Sequence, residues 1–129
     1  FLAGLRGPGD LDHWPGRGRS FEGLVVEELI QRLSLHARRP YFAFWRTQAG
    51  AEVDLLFDLG RGLVPVEIKL GPVDRHGVQG LRHCMADLRL PRGYVVTASV
   101  DEPWDMGNGI RVLPWRDLAR GNLPPQWLR

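Results

Sequence analysis

The chain has 129 residues, 43% apolar and 25% charged, with a formal net charge of +2; that is room for one domain with its own core and the make-up of a globular protein. Its single cysteine, Cys84, excludes an internal disulfide framework and any zinc site of several cysteines, and reads as a reduced core thiol. No stretch approaches a membrane span in apolar length and no signal peptide is visible, so no membrane partner is expected and the cytoplasm is the expected compartment.

The chain opens on Phe1, and "FLAGLRGPGD" is expected to continue a longer polypeptide. Residues 1–19, rich in Gly, Pro, Arg and Asp, read as an irregular lead-in. "SFEGLVVEELIQRLSLHA" carries a long apolar repeat behind Ser20, a candidate N-cap, and predicts a helix over 20–36. "YFAFWR", 41–46, predicts a strand ending at a polar turn. Two further strands are expected at 52–58 and 63–70. "DRHGVQGLRHCMADL" sets Val78, Leu81, Met85 and Leu88 at helical spacing, with Asp74 as a possible cap. "GYVVTASV" reads as a buried strand, "IRVLP" as a short one and "WRDLAR" as one or two helical turns. The tail, 121–129, reads as irregular. Three strands joined by short turns predict an antiparallel meander, and the helix between 70 and 92 permits a crossover to a parallel neighbour. The expected fold is α/β: helix, three-strand meander, helix, strand, a mixed sheet flanked by helices, over residues 20–120.

The hairpin "AEVDLLFDLGRGLVPVEIKL", 51–70, is where charge and pattern conflict. A two-residue loop at Gly60–Arg61, a favoured connection, makes facing residues sum to 121. Asp54 then opposes Glu67, and Glu52 opposes Lys69. One face carries Val53, Leu55, Phe57, Val64, Val66, Ile68 and Leu70 and must be core. The other carries Glu52, Asp54, Glu67 and Lys69. Opposed like charges are destabilising, and alternation alone is also met by a solvated sheet face. Glu22 argues for more. On a helical wheel it falls in line with Val26, Leu29 and Leu33, mid-stripe, where an acid gains from the helix dipole but needs a partner if buried. Hard divalent cations take carboxylate oxygens, and Mg²⁺ typically uses one or two of them with waters and phosphate oxygens. A metal at Asp54 and Glu67 would relieve their repulsion, activate water and stabilise charge on a phosphodiester. Lys69, two residues beyond Glu67 on the same face, would orient that water or neutralise the transition state. The chain's basic residues are sixteen arginines and one lysine, and Lys69 is the lysine.

An acid on the second strand, Glu-x-Lys on the third ("VEIKL") and a preceding helix bearing Glu resemble the PD-(D/E)XK nuclease superfamily, with its restriction-endonuclease-like core. More closely, "GRSFEGLVVEEL", "FWRTQAGAEVDLLF" and "LVPVEIKLG" are similar to the uncharacterised C-terminal domain of a family of prokaryotic AAA-type ATPases, over about residues 20–100. A lone ExK carries little; the three segments in order carry the resemblance. It implies Asp54 and Glu67 as ligands of Mg²⁺ or Mn²⁺, Lys69 as catalytic base or electrostatic stabiliser, Glu22 as an accessory acid, DNA as a possible partner and an upstream ATPase domain in the same chain. Val53 stands where that superfamily usually places a proline before the strand acid.

Other candidates carry less. No Walker loop occurs, so no nucleotide is expected in this segment. His13, His36, His76 and His83 lack metal-ligand spacing, though His76 could approach the site from the second helix. Trp14, Trp45, Trp104, Trp115 and Trp127 read as packing. Arg38, Arg39 and Arg46 read as solvated charge or phosphate contacts. Two functions follow: a metal-dependent deoxyribonuclease attached to an ATPase, or a nuclease-fold module that binds nucleic acid or protein without cutting.

Overall fold

Helix α1, Phe21–Leu33, starts where the sequence places its cap: Ser20 Oγ accepts the Gly23 N–H at 3.1 Å. The computed structural model describes residues 2–5, as backbone, and 20–128. A 3₁₀ turn, Ser34–His36, extends α1. The strands are β1 Leu2–Leu5, β2 Tyr41–Arg46, β3 Glu52–Asp58, β4 Val64–Lys69, β5 Gly93–Thr97, β6 Trp104–Gly107 and β7 Ile110–Pro114. Helix α2, Gln79–Asp87, follows a 3₁₀ turn at His76–Val78, where Asp74 Oδ1 accepts the Gly77 N–H at 2.7 Å. Two short helices close the chain, α3 Trp115–Ala119 and α4 Pro125–Leu128.

These strands form one mixed, seven-stranded sheet in the order β1-β2-β3-β4-β5-β7-β6. β1 to β4 are an antiparallel meander, β4–β5 and β5–β7 are parallel, and β6 returns antiparallel along β7. The expected order of helix, three-strand meander, helix and strand is present, with helices on both faces. On one face α1 buries Val25, Val26, Leu29, Ile30 and Leu33 against Leu55, Phe57, Val66 and Ile68. On the other, α2 buries Leu81, Cys84 and Met85 with Trp45, Val53, Leu56 and Val95. All five residues of β5 are buried, as a strand covered on both faces requires.

Several sequence expectations need correction. The hairpin register is as predicted, with Leu55↔Val66, Leu56↔Pro65 and Phe57↔Val64 paired, but its loop is longer than two residues. Asp58 Oδ1 accepts the N–H groups of Gly60, Arg61 and Gly62 at 2.7, 3.0 and 3.2 Å, and this carboxylate holds the turn. The two faces are not one dry and one wet; α2 covers the charged face. Val53 packs in the α2 layer, away from Leu55, because between the pairs Ala43↔Leu56 and Trp45↔Val53 one residue of β2 (Phe44) faces two of β3 (Leu55 and Asp54), a bulge that shifts the alternation by one. Leu70, expected in the core, is 59% exposed beyond the end of β4. Two stretches read as irregular carry structure: Leu2–Leu5 pairs with β2, and α4 seats Trp127 edge-on to Phe57 and Tyr94 at centroid distances of 5.1 and 5.2 Å. The remainder of the lead-in, residues 6–19, lies outside the described residues. β6 forms in a segment, between "GYVVTASV" and "IRVLP", for which the sequence predicts no element.

Candidate functional site

Asp54 sits within the bulge of β3, next to the last paired residue, Leu55. The ladder with β4 stops there, and Asp54 takes over with its side chain: the Ile68 N–H donates to Asp54 Oδ2 at 2.8 Å. One carboxylate oxygen thus satisfies a β4 donor that a continuing strand would have met with its carbonyl. Glu67 comes off the preceding residue of β4 on the α2 face and is only 8% exposed. Its carboxyl lies against that of Asp54. Burial, then a side-chain hydrogen bond and charge repulsion from Asp54, push Glu67 up to about 10; Lys69 and the Ile68 N–H pull only weakly the other way. At neutral pH Glu67 keeps its proton beside Asp54.

Lys69 is half-buried. A Cβ added at Gly77 would stand 3.9 Å from Lys69 Cε and 3.3 Å from Asp74 Oδ1, so the turn capped by Asp74 lies along the lysine stem. On the other side Lys69 is level with Thr97 of the parallel neighbour β5. Buried Thr97 donates its hydroxyl to the Gly71 carbonyl at 3.0 Å and meets Ser99 Oγ at 2.9 Å, fixing the chain as it leaves Lys69. The cluster therefore lies at the carboxyl end of β4, where antiparallel pairing on one side gives way to parallel pairing on the other. In open α/β sheets that edge is where ligands bind.

The structure thus brings Asp54, Glu67 and Lys69 together. Glu22, expected as an accessory acid, is half-buried in the first turn of α1; among the described residues no group of three or more His, Cys, Asp or Glu is arranged to hold a metal ion. Glu52 is elsewhere. It pairs with Arg46 across β2, Arg46 Nε lying 3.1 Å from Glu52 Oε1, and not with Lys69. His36, His76 and His83 are exposed, and the His76 ring makes a 3.4 Å contact with Gln79; His13 and Trp14 lie outside the described residues. Cys84 packs under the same helix, where burial, with Asp87 and Glu67, pushes its thiol up to about 12, an inert core group. Thr97, Ser99, Gly77 of the turn before α2 and Gly80 of α2 are supporting residues that the sequence pattern does not reveal; "GYVVTASV" shows its polar pair only as the end of a strand.

A model of a family described as a domain of unknown function, DUF4143, matches residues 17–118. The chain belongs to this family. The DUF4143 match spans α1 through most of α3, and so contains all of Asp54, Glu67 and Lys69. No curated protein and no solved structure matches the chain. No helix among the described residues is long and apolar enough to cross a membrane.

As a metal site the DUF4143 carboxylates fit an open, oxygen-rich geometry. Two carboxylates at contact, one of them buried and forced to keep a proton, form a place where a divalent cation can take the proton's position. Mg²⁺ needs no more than one or two protein carboxylates when waters or phosphate oxygens complete its shell. A structural zinc site would need three or four nitrogen or sulfur ligands, and none converge among the described residues.

Proposed function

We propose that this domain is a metal-dependent phosphodiesterase of the PD-(D/E)XK kind acting on DNA, working as an appendage of an ATPase in the same polypeptide. The observation that carries the reading is the Asp54–Glu67 pair with Lys69 two residues on, at the carboxyl end of β4. Asp54 and Glu67 would hold Mg²⁺ or Mn²⁺, which supplies an activated water and charge stabilisation at phosphorus. Asp54 is oriented for this by the Ile68 N–H, and Glu67 would give up its proton to bind such a cation. The ammonium of Lys69, steadied by the 74–78 turn, lies beside these oxygens and offers charge to a non-bridging phosphate oxygen or a hydrogen bond to the attacking water. The second reading, a nuclease-fold module that binds without cutting, draws its support from the small donor set: among the described residues no group of three or more His, Cys, Asp or Glu is arranged to hold a metal ion.

Calorimetry with Mg²⁺ and Mn²⁺ is expected to show binding on the order of millimolar to the native chain and none to Asp54→Asn. Identical titrations would end the metal reading. Cleavage separates the two functions. With Mn²⁺, Lys69→Ala is expected to lose on the order of a hundredfold or more in DNA hydrolysis, as for removal of one transition-state donor, while retaining most DNA affinity. Lys69→Arg should be nearly as poor, because the planar guanidinium does not replace a compact ammonium. Absence of cutting of single-stranded, duplex and branched DNA, with the ATPase part present and ATP supplied, would favour the binding module.

A further inference from the structure

The rim of the sheet opposite Lys69 has a different character. Here β2, β4 and β5 begin, and Arg38 and Arg39 precede β2, Arg61 precedes β4 and Arg92 precedes β5. All four are exposed, and among the described residues none of their side chains has an ion pair or hydrogen bond. Three hollows follow one another along this rim. The first, about 560 Å³, is lined by Arg38, Arg39 and Leu59. The second, about 250 Å³, abuts it at Leu59 and is lined by Arg61, Arg92, Tyr94 and Trp127. The third, about 830 Å³, shares Arg92 and Tyr94 with the second and runs on past Arg111.

Acidic groups do not cancel this charge evenly. Asp58 is nearest to the first two hollows, and its Oδ1 is occupied by three turn amides. In the third hollow Arg111 is paired with Asp105 at 2.8 Å, and Asp117 also lines the wall. Among the described residues no acid lines either of the first two hollows, so positive charge is concentrated there, at four guanidinium stations on three separate loops.

We propose that this rim is a furrow that binds the phosphates of a single nucleic-acid strand. Guanidinium forks match phosphate oxygens in a bidentate manner. A strand offers successive anions on one backbone, so several stations are filled without ordering a flexible side chain at each, as an acidic peptide would require. Gly60 and Gly62, with open space where a Cβ would be, let that backbone approach the turn closely. The furrow stands apart from the carboxylate pair: Val64 and Glu67 are three residues apart, about 10 Å along the strand, and the arginine loops lie beyond Val64.

The test is fluorescence anisotropy with a labelled oligothymidylate on the whole chain, in EDTA so that no divalent ion contributes. Native protein should bind with a log-log salt slope of about −2 to −3, as three or four phosphate contacts imply for a single strand. Arg61→Ala/Arg92→Ala should weaken binding roughly tenfold or more and flatten the slope by about 1.4. A melting temperature matching that of the native chain would show that the arginine variant is folded. Native binding by that variant, or none by the native chain, overturns the furrow. Competition by polyglutamate as effective as by the oligonucleotide at equal charge overturns the nucleic-acid assignment. Loss of metal-dependent cutting in Asp54→Asn bears on the carboxylates alone, so either proposal can fail without the other.

Discussion

Gly80→Ala is expected to destabilise the fold by about 3 kcal/mol, near the upper end of what overpacking costs. Gly80 is in the first turn of α2, where the helix rests on the backbone of β3. A Cβ there would stand 2.5 Å from the Glu52 carbonyl oxygen and 3.3 Å from its amide nitrogen. Both are main-chain atoms of a paired strand and neither can swing away, so α2 would have to lift from the sheet, loosening Leu81 and Cys84 from their layer. Alanine is the better helix former by about 1 kcal/mol, so a net loss can arise only from the close approach. Urea unfolding gives the number; a variant as stable as native would show that α2 does not sit on β3 as described. Because Glu52 is two residues from Asp54, a lifted helix should also weaken the carboxylate site.

Glu67→Gln is expected to have the opposite sign. In the folded chain Glu67 keeps its proton up to about pH 10, whereas its ordinary value is 4.5. Between those values the folded state holds one more proton than the unfolded state, so stability falls as pH rises through the window and is fully present only below about 4.5. At pH 7 that cost is up to about 3 kcal/mol. Glutamine has no proton to lose and keeps an N–H to donate to Asp54. The variant should exceed the native chain by up to that amount near pH 7 and match it near pH 4, which denaturant titrations at several pH values will read directly. Mg²⁺ or Mn²⁺ should narrow the gap by stabilising only the native chain. Parallel native and variant curves across the whole range would show that Glu67 is an ordinary exposed carboxylate. A residue whose neutral isostere stabilises the fold is one retained at a cost, as groups in functional sites often are.

The fold was legible in the sequence where periodicity had one explanation. The apolar stripe of α1, the all-buried run of β5 and the order of the meander follow from spacing alone. The hairpin shows how a register can be right while its premise is not. Pairing at Leu55↔Val66 is the one that a two-residue loop demands, yet the loop is longer and is organised by Asp58. The bulge at Asp54 leaves no mark in composition, so Val53 reads with Leu55 although it belongs to the opposite layer. Burial of the charged face was hidden because it depends on α2 lying close, and the residue that permits this is a glycine, which has no side chain to betray a contact. β1, β6 and α4 were missed because short edge elements rely on neighbours more than on their own pattern.

Within the site, Asp54 and Glu67 were found through register, and Lys69 through its parity with Glu67. The hairpin alone does not show the partner of Glu52, because the Arg46 side chain reaches it from β2, on the other side of β3. Glu22 shares a stripe with core residues, but a wheel has no ends, and the first turn of α1 is only half-covered.

Lys69 is the one lysine in the chain, beside sixteen arginines. Arginine is not acylated under conditions that modify an ε-amine, so amine-directed chemistry within this sequence has a single side chain to find. An acyl group there would remove the charge that partly offsets the elevation of Glu67 while leaving every arginine of the opposite rim untouched. One covalent event would thus change the charge at one end of the sheet and spare the other.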